Sequence, residues 1–162
     1  MALEDQFSRK HTYLRIAVTD RCNLQCVYCM PNESAEWKRR NEILTFEEIL
    51  RIAWLLVNNG ITKIRLTGGE PLVRSNLNWL VSELAKLPGL DTLALTTNGT
   101  LLAQHAAKLR ASGLHRLNIS LDTLRADRFK AISGRDTIGD VLAGIEAAQH
   151  AGFDNKIGRA HV

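Results

Sequence analysis

Tyr13-Leu14-Arg15-Ile16-Ala17-Val18-Thr19-Asp20-Arg21-Cys22-Asn23-Leu24-Gln25-Cys26-Val27-Tyr28-Cys29 runs from a strand into a loop that holds all three cysteines of the 162-residue chain. Leu14, Ile16 and Val18 alternate with Tyr13, Arg15 and Ala17, the period-two pattern of a strand with one apolar face. The cysteines follow at C-x3-C-x2-C. Each thiolate takes one iron of a cubane, so Cys22, Cys26 and Cys29 hold three corners of a 4Fe-4S cluster and leave the fourth iron open. An open iron can chelate the amino and carboxylate groups of a ligand's methionine part. A structural zinc site is the alternative, but it takes four closed ligands, commonly in paired C-x2-C spacing, and only His11 lies close upstream. A disulfide is the weaker alternative, because the cysteine number is odd and no secretory signal precedes it.

The rest of the chain is read outward from this loop. Its 45% hydrophobic and 23% charged residues are those of one soluble globular domain. No apolar run reaches the roughly 18 to 20 residues a bilayer crossing needs, so no membrane is expected and the cytoplasm is the expected compartment. The net charge of +4 suits an anionic partner, nucleotide or nucleic acid, without choosing between them. Lys38-Arg39-Arg40 reads as a solvated surface run, so no nucleic-acid binding is expected from it.

Residues 1–12 are polar and aperiodic and are expected to form a mobile N-terminal arm. After the cysteine loop, Thr45 and Glu48 form a capping box for a helix whose Ile49, Ile52, Ala53 and Leu56 are apolar. Lys63 to Thr67 is the second strand, broken by Gly68-Gly69. Ser75 or Asn76 caps a helix carrying Leu77, Leu80, Val81 and Leu84. Thr92 to Thr97 is the third strand and Leu102 to Ala111 the next helix, stopped at Gly113. Arg116 to Leu121 is the fourth strand, and two helical segments, 127–133 and 140–151, follow. Four strand-helix repeats predict a parallel sheet, either a barrel or a doubly wound sheet. Cysteines stand where a dinucleotide fold would place its glycine fingerprint, which favours the barrel. Arg15, Lys63, Arg65, Thr67, Thr96, Asn98, Asn118 and Ser120 fall on the strand face opposite the leucines and isoleucines. Such a polar interior predicts a lumen for a polar ligand; an antiparallel sheet with one face in water alternates in the same way.

With Tyr28 before the last cysteine, Arg15 to Arg21 and Met30-Pro31 as flanks, Leu66-Thr67-Gly68-Gly69-Glu70-Pro71-Leu72 and Thr96-Thr97-Asn98-Gly99, the sequence resembles the radical S-adenosylmethionine superfamily. Within it, the chain is similar to the GTP 3′,8-cyclases of molybdenum cofactor biosynthesis, from about Tyr13 to Asn155. The resemblance implies an α/β fold, an incomplete (β/α) TIM-type barrel with about four strand-helix units present. It implies a 4Fe-4S cluster on Cys22, Cys26 and Cys29, and S-adenosylmethionine bound around Tyr28, Gly69, Glu70 and Ser120, with Glu70 accepting from its ammonium group. Arg15, Arg65 and Thr96 match positions that contact GTP; planar guanidinium forks suit phosphate oxygens. Without the resemblance, internal ion pairs from these arginines to Glu70 or Asp122 are the alternative, and Ser120 could equally be a helix cap. The implied reaction is reductive cleavage of S-adenosylmethionine, hydrogen abstraction from C3′ of GTP and attack of the ribose radical on C8 of guanine. An electron donor is implied as a partner, and a homodimer is one arrangement open to the chain.

The family continues into a region with three further cysteines and a second cluster, so one cluster is expected here. Residues 156–162 do not resemble the fifth strand expected after Gly152-Phe153. Ile157 to Val162 back-translates as an in-frame read of a widely used sequencing adapter, so a non-native tail after about Asn155 is expected. The cysteine loop and Gly-Gly-Glu-Pro are shared widely, which leaves another radical S-adenosylmethionine enzyme, such as a peptide-modifying one, as the second reading. A zinc-stabilised binding module is the third.

Overall fold

The computed structural model describes residues 3–29, 37–153 and 156–158. Met30-Pro31, part of the resembling flank, lies outside them, as do residues 159–162 of the expected tail.

Five parallel strands make one sheet: β1 (Tyr13–Ala17), β2 (Lys63–Thr67), β3 (Thr92–Thr97), β4 (Arg116–Ser120) and β5 (Lys156–Gly158). Between them lie α1 (Phe46–Asn58), α2 (Leu77–Ala85), α3 (Leu102–Ala111), α4 (Ala126–Ser133) and α5 (Ile138–His150). The spatial order β1-β2-β3-β4-β5 follows the chain without reversal. A doubly wound sheet reverses its order at a switch point. The uninterrupted order is therefore that of a barrel arc, and the parallel pairing of every neighbouring strand excludes the antiparallel sheet.

Burial follows the strand period. Ile64, Leu66, Leu93, Leu95, Leu117 and Ile119 are at most 1% exposed and meet the helices. Leu14 and Ile16 are only half-buried, because among the described residues β1 has a strand neighbour on one side alone. Helix α1 begins with the expected reciprocal cap. Glu48 N–H donates to Thr45 Oγ1 at 3.2 Å and Thr45 N–H donates to Glu48 Oε2 at 2.7 Å. Its Ile49, Ala53 and Val57 face the core at i, i+4 and i+8. Helices α3 and α5 pack together where a Cβ on Gly144 would overlap the Gly99 carbonyl, so glycine permits this approach.

Three local features differ from the sequence expectations. Described residues of the arm form a short hairpin, with an antiparallel bridge between Glu4 and Lys10. Asp5 organises its turn, accepting at Oδ1 from Phe7 N–H at 2.9 Å and from Arg9 N–H at 3.1 Å, which is the local side-chain bonding that replaces periodicity. Asn76 starts α2 with φ of 60° but makes no side-chain cap bond. Lys156–Gly158 forms a strand where none is expected, with Asn118, Ile119 and Ser120 opposite Lys156, Ile157 and Gly158; backbone pairing to an open edge requires little of the side chains. Among the described residues no helix is long and apolar enough to cross a membrane.

Candidate functional site at the cysteine loop and strand ends

The cysteine loop leaves β1 and is tied by backbone hydrogen bonds to the end of β2 and to α4. Thr19 O accepts from Gly69 N–H, and Arg21 O from Glu70 N–H, both at 2.8 Å. A Cβ on Gly69 would overlap the carbonyls of Asp20 and Arg21, and one on Gly68 that of Thr19. The paired glycines thus let the end of β2 interlock with the chain entering the loop. Leu24, 4% exposed, anchors the loop in the core. Gln25 N–H donates to Ser133 O at 2.9 Å and Val27 N–H to Ile132 O at 3.0 Å. These are carbonyls of the last turn of α4, acceptors that a helix end cannot satisfy by itself.

All three cysteines are free thiols; Cys22 and Cys26 are half-buried and Cys29 is exposed. Burial pushes the Cys22 and Cys26 thiols up, with Glu70 adding to Cys22, and Cys29 and Cys22 adding to Cys26. A bound cation offsets that cost, since metal binding displaces the thiol protons. The disulfide alternative has no pair here. Among the described residues no three His, Cys, Asp or Glu side chains converge on one ion. A cubane asks less, because each cysteine meets a separate iron. Three soft sulfurs on one pinned loop fit that group, with Leu24 N–H donating to Cys22 Sγ at 3.4 Å.

Glu70 is fully buried. Its Oε1 accepts from Leu72 N–H at 3.0 Å and Thr97 Oγ1–H at 2.7 Å, and its Oε2 accepts from Asn98 N–H at 2.7 Å. Burial raises its pKa against these three donors. The carboxylate is therefore committed to joining the ends of β2 and β3, and it is not open to a ligand in this conformation. Tyr28 reaches the opposite rim, donating through its hydroxyl to Asp122 Oδ2 at 2.6 Å. Although the residue is 60% exposed, desolvation of the hydroxyl end and then the Asp122 bond hold it protonated above the ordinary tyrosine range. Ser120 is exposed at the end of β4, next to Asp122.

Arg15 and Arg65 are register partners on β1 and β2, on the face turned away from the helices. Arg65 Nη1 donates to Thr96 Oγ1 at 3.1 Å, its guanidinium lies 6.0 Å from the Tyr13 ring centre, and its buried Nε has no partner among the described residues. The carboxylates weighed as ion-pair partners are engaged elsewhere, Glu70 with β3 and Asp122 with Tyr28. Among the described residues no carboxylate forms a salt bridge with Arg15 or Arg65. The structure also brings in residues that the sequence reading gave no ligand role. Arg116 stands in register with Ala94, which is itself opposite Arg65, so three arginines share one level of the sheet. Asn23, Asn98 and Thr100 bond one another beside Cys22. For Arg116 the signal was its place in the strand alternation; for Asn23 and Thr100 there was none, because a bond between residues 77 apart is invisible in sequence.

Residues 16–161 match the profile of the Radical SAM superfamily. The chain is 53% identical over 156 residues to a GTP 3′,8-cyclase of Rhodopirellula baltica, covering 96% of this chain and 44% of that protein. It is 48% identical to Molybdenum cofactor biosynthesis protein 1 of Drosophila melanogaster, covering 96% of this chain and 27% of that protein. The chain thus spans less than half the length of either relative. Streptococcus suis SuiB bound to S-adenosylmethionine superposes with a TM-score of 0.77 at 19% identity, covering 93% of this chain and 34% of that one, a likeness of fold alone. A profile match over nearly the whole chain, on a sheet that a solved neighbour shares, places the cysteine loop in its family: this chain belongs to the radical SAM superfamily.

Proposed function

We propose that the chain is the part of a GTP 3′,8-cyclase that carries the cluster loop, in the enzyme that converts GTP to (8S)-3′,8-cyclo-7,8-dihydroguanosine 5′-triphosphate at the first step of molybdenum cofactor biosynthesis. The observation that carries the substrate class is the Arg15 and Arg65 pair. Two adjacent guanidinium groups on an inward sheet face, without a carboxylate partner among the described residues, repel one another until an anion joins them. A triphosphate supplies that charge, and Thr96, held by Arg65, adds a hydroxyl beside it. The names of the relatives support guanosine over other anions.

Cys22, Cys26 and Cys29 would hold the cluster, which would pass an electron from the donor to S-adenosylmethionine and so supply the radical chemistry that ring closure on GTP needs. The protein's own work is placement. Tyr28 and Ser120 stand at the rim to receive the adenosine part, and Gly69 keeps the backbone of β2 close to the loop. Glu70 acts here from beneath, fixing the ends of β2 and β3 that a bound S-adenosylmethionine meets. Arg15 and Arg65 orient the substrate so that its ribose faces the loop, the positioning that turns an encounter into a reaction geometry. An electron donor is a required partner, a homodimer is compatible with the fold, one cluster belongs to this part of the chain, and the cytoplasm is its compartment.

The test is anaerobic incubation of the reconstituted, full-length protein with GTP, S-adenosylmethionine and a reductant, followed by mass spectrometry of the nucleotide. The expected result is a cyclised product that requires all three. Cleavage of S-adenosylmethionine that ignores GTP, together with no protection of Arg15 and Arg65 from phenylglyoxal by GTP, would sink the cyclase reading in favour of another radical SAM substrate.

A further inference from the structure

Asn98, at the end of β3, makes side-chain contacts that the roles above do not use. Its Oδ1 accepts from Thr100 N–H at 3.0 Å and from Thr100 Oγ1–H at 2.7 Å. Its backbone N–H is held by Glu70 Oε2 at 2.7 Å. With both lone-pair directions of the amide oxygen taken, the amide has one orientation left, and Nδ2 faces the cysteine loop. There Nδ2 donates to Asn23 Oδ1 at 2.9 Å and lies 3.9 Å from Cys22 Sγ. Asn23 Nδ2 closes the ring by donating to Thr100 Oγ1 at 2.8 Å.

We propose that Asn98 is a positioning residue for the Cys22 corner, which aims an amide N–H at the ligand sulfur and raises the reduction potential of the cluster held there. The proposal rests on Cys22 being a cluster ligand. An N–H directed at a thiolate draws charge from the sulfur, and this favours the reduced state because reduction adds negative charge. The Asn98, Asn23 and Thr100 ring keeps the amide from turning its oxygen to the sulfur instead. Leu24 N–H is a second donor to Cys22 and comes from the loop itself. Asn98 comes from another strand and couples the potential to the seating of the loop on the barrel.

Two variants test this. Asn98→Asp keeps the shape and replaces the donor by an oxygen; Thr100→Val leaves Asn98 in place and removes the hydroxyl that fixes it. The protein is reconstituted with iron and sulfide, iron per chain is measured, and the cluster is titrated with EPR detection. Both variants are expected to hold wild-type iron with a lower midpoint potential, Asn98→Asp lower than Thr100→Val. If Asn98→Asp does not fold, Thr100→Val decides alone. An unchanged potential in the folded variants at full iron content overturns the proposal and leaves the cluster assignment standing. A wild type that takes up no cluster overturns both.

Discussion

Arg65 Nη1 donates to Thr96 Oγ1 at 3.1 Å, so the strand that carries one inward arginine is latched to the next strand of the sheet. The latch holds the guanidinium in place before any ligand arrives and lowers the entropy lost on binding. Replacing Arg65 by Ala, or Arg15 by Ala, is expected to weaken GTP binding roughly tenfold to a hundredfold, about 1.4 to 3 kcal/mol. Arg65→Lys restores the charge without the fork and is expected to recover only part of it. Equilibrium dialysis with GTP and with guanosine checks this. A loss equal for both ligands would place the arginines away from the phosphates.

Gly69 has no room for a side chain, because the Asp20 and Arg21 carbonyls occupy the Cβ position. Gly69→Ala must pull β2 away from the cysteine loop or distort the loop. The expected cost is about 3 kcal/mol or more, in the range of strained or overpacked sites. Urea unfolding of the variant measures it, and an unchanged midpoint would mean that the approach of the two segments relaxes freely.

Glu70 sets an unusual pH dependence. Its pKa is raised, first by burial, against the three donors that lower it. Relative to the unfolded chain the folded state therefore holds the proton more tightly. The contribution to stability is full below the unfolded value of about 4.5 and declines as pH rises through the higher folded value. Most carboxylates in ion pairs do the opposite. The stability of wild type minus that of Glu70→Gln, from urea curves at pH 4 to 8, is expected to fall as pH rises; a rise would show that the hydrogen bonds outweigh burial.

Tyr28 and Asp122 join the cysteine loop to the end of β4 by a 2.6 Å hydrogen bond. Tyr28→Phe and Asp122→Asn are each expected to weaken S-adenosylmethionine binding roughly threefold to tenfold, about 0.6 to 1.4 kcal/mol, with iron content unchanged. The double variant should be no worse than either single one, because both remove the same bond. Full additivity would assign the two residues separate tasks.

The sequence by itself determined the sheet and the chemistry of the loop. Strand alternation at Tyr13 to Val18 and Lys63 to Thr67, and the Thr45 and Glu48 cap, are local rules whose physics acts within a few residues, and the structure shows them there, with β1 ending one residue earlier at Ala17. The cysteine spacing is local too. What the tertiary structure decided depends on pairs far apart in the chain. Glu70 reads as a ligand-facing acid, but packing of β2 against β3 buries it and spends both oxygens on Thr97, Leu72 and the Asn98 backbone. Asp122 and Glu70 were the alternative partners for the arginines, but Tyr28 and β3 take them first. Strand register then sets Arg15 beside Arg65 without a salt-bridged carboxylate among the described residues, and the amide of Asn98 against Cys22. A hydrogen-bonding group takes the partner that folding brings within about 3 Å, and that distance is a property of the packed chain.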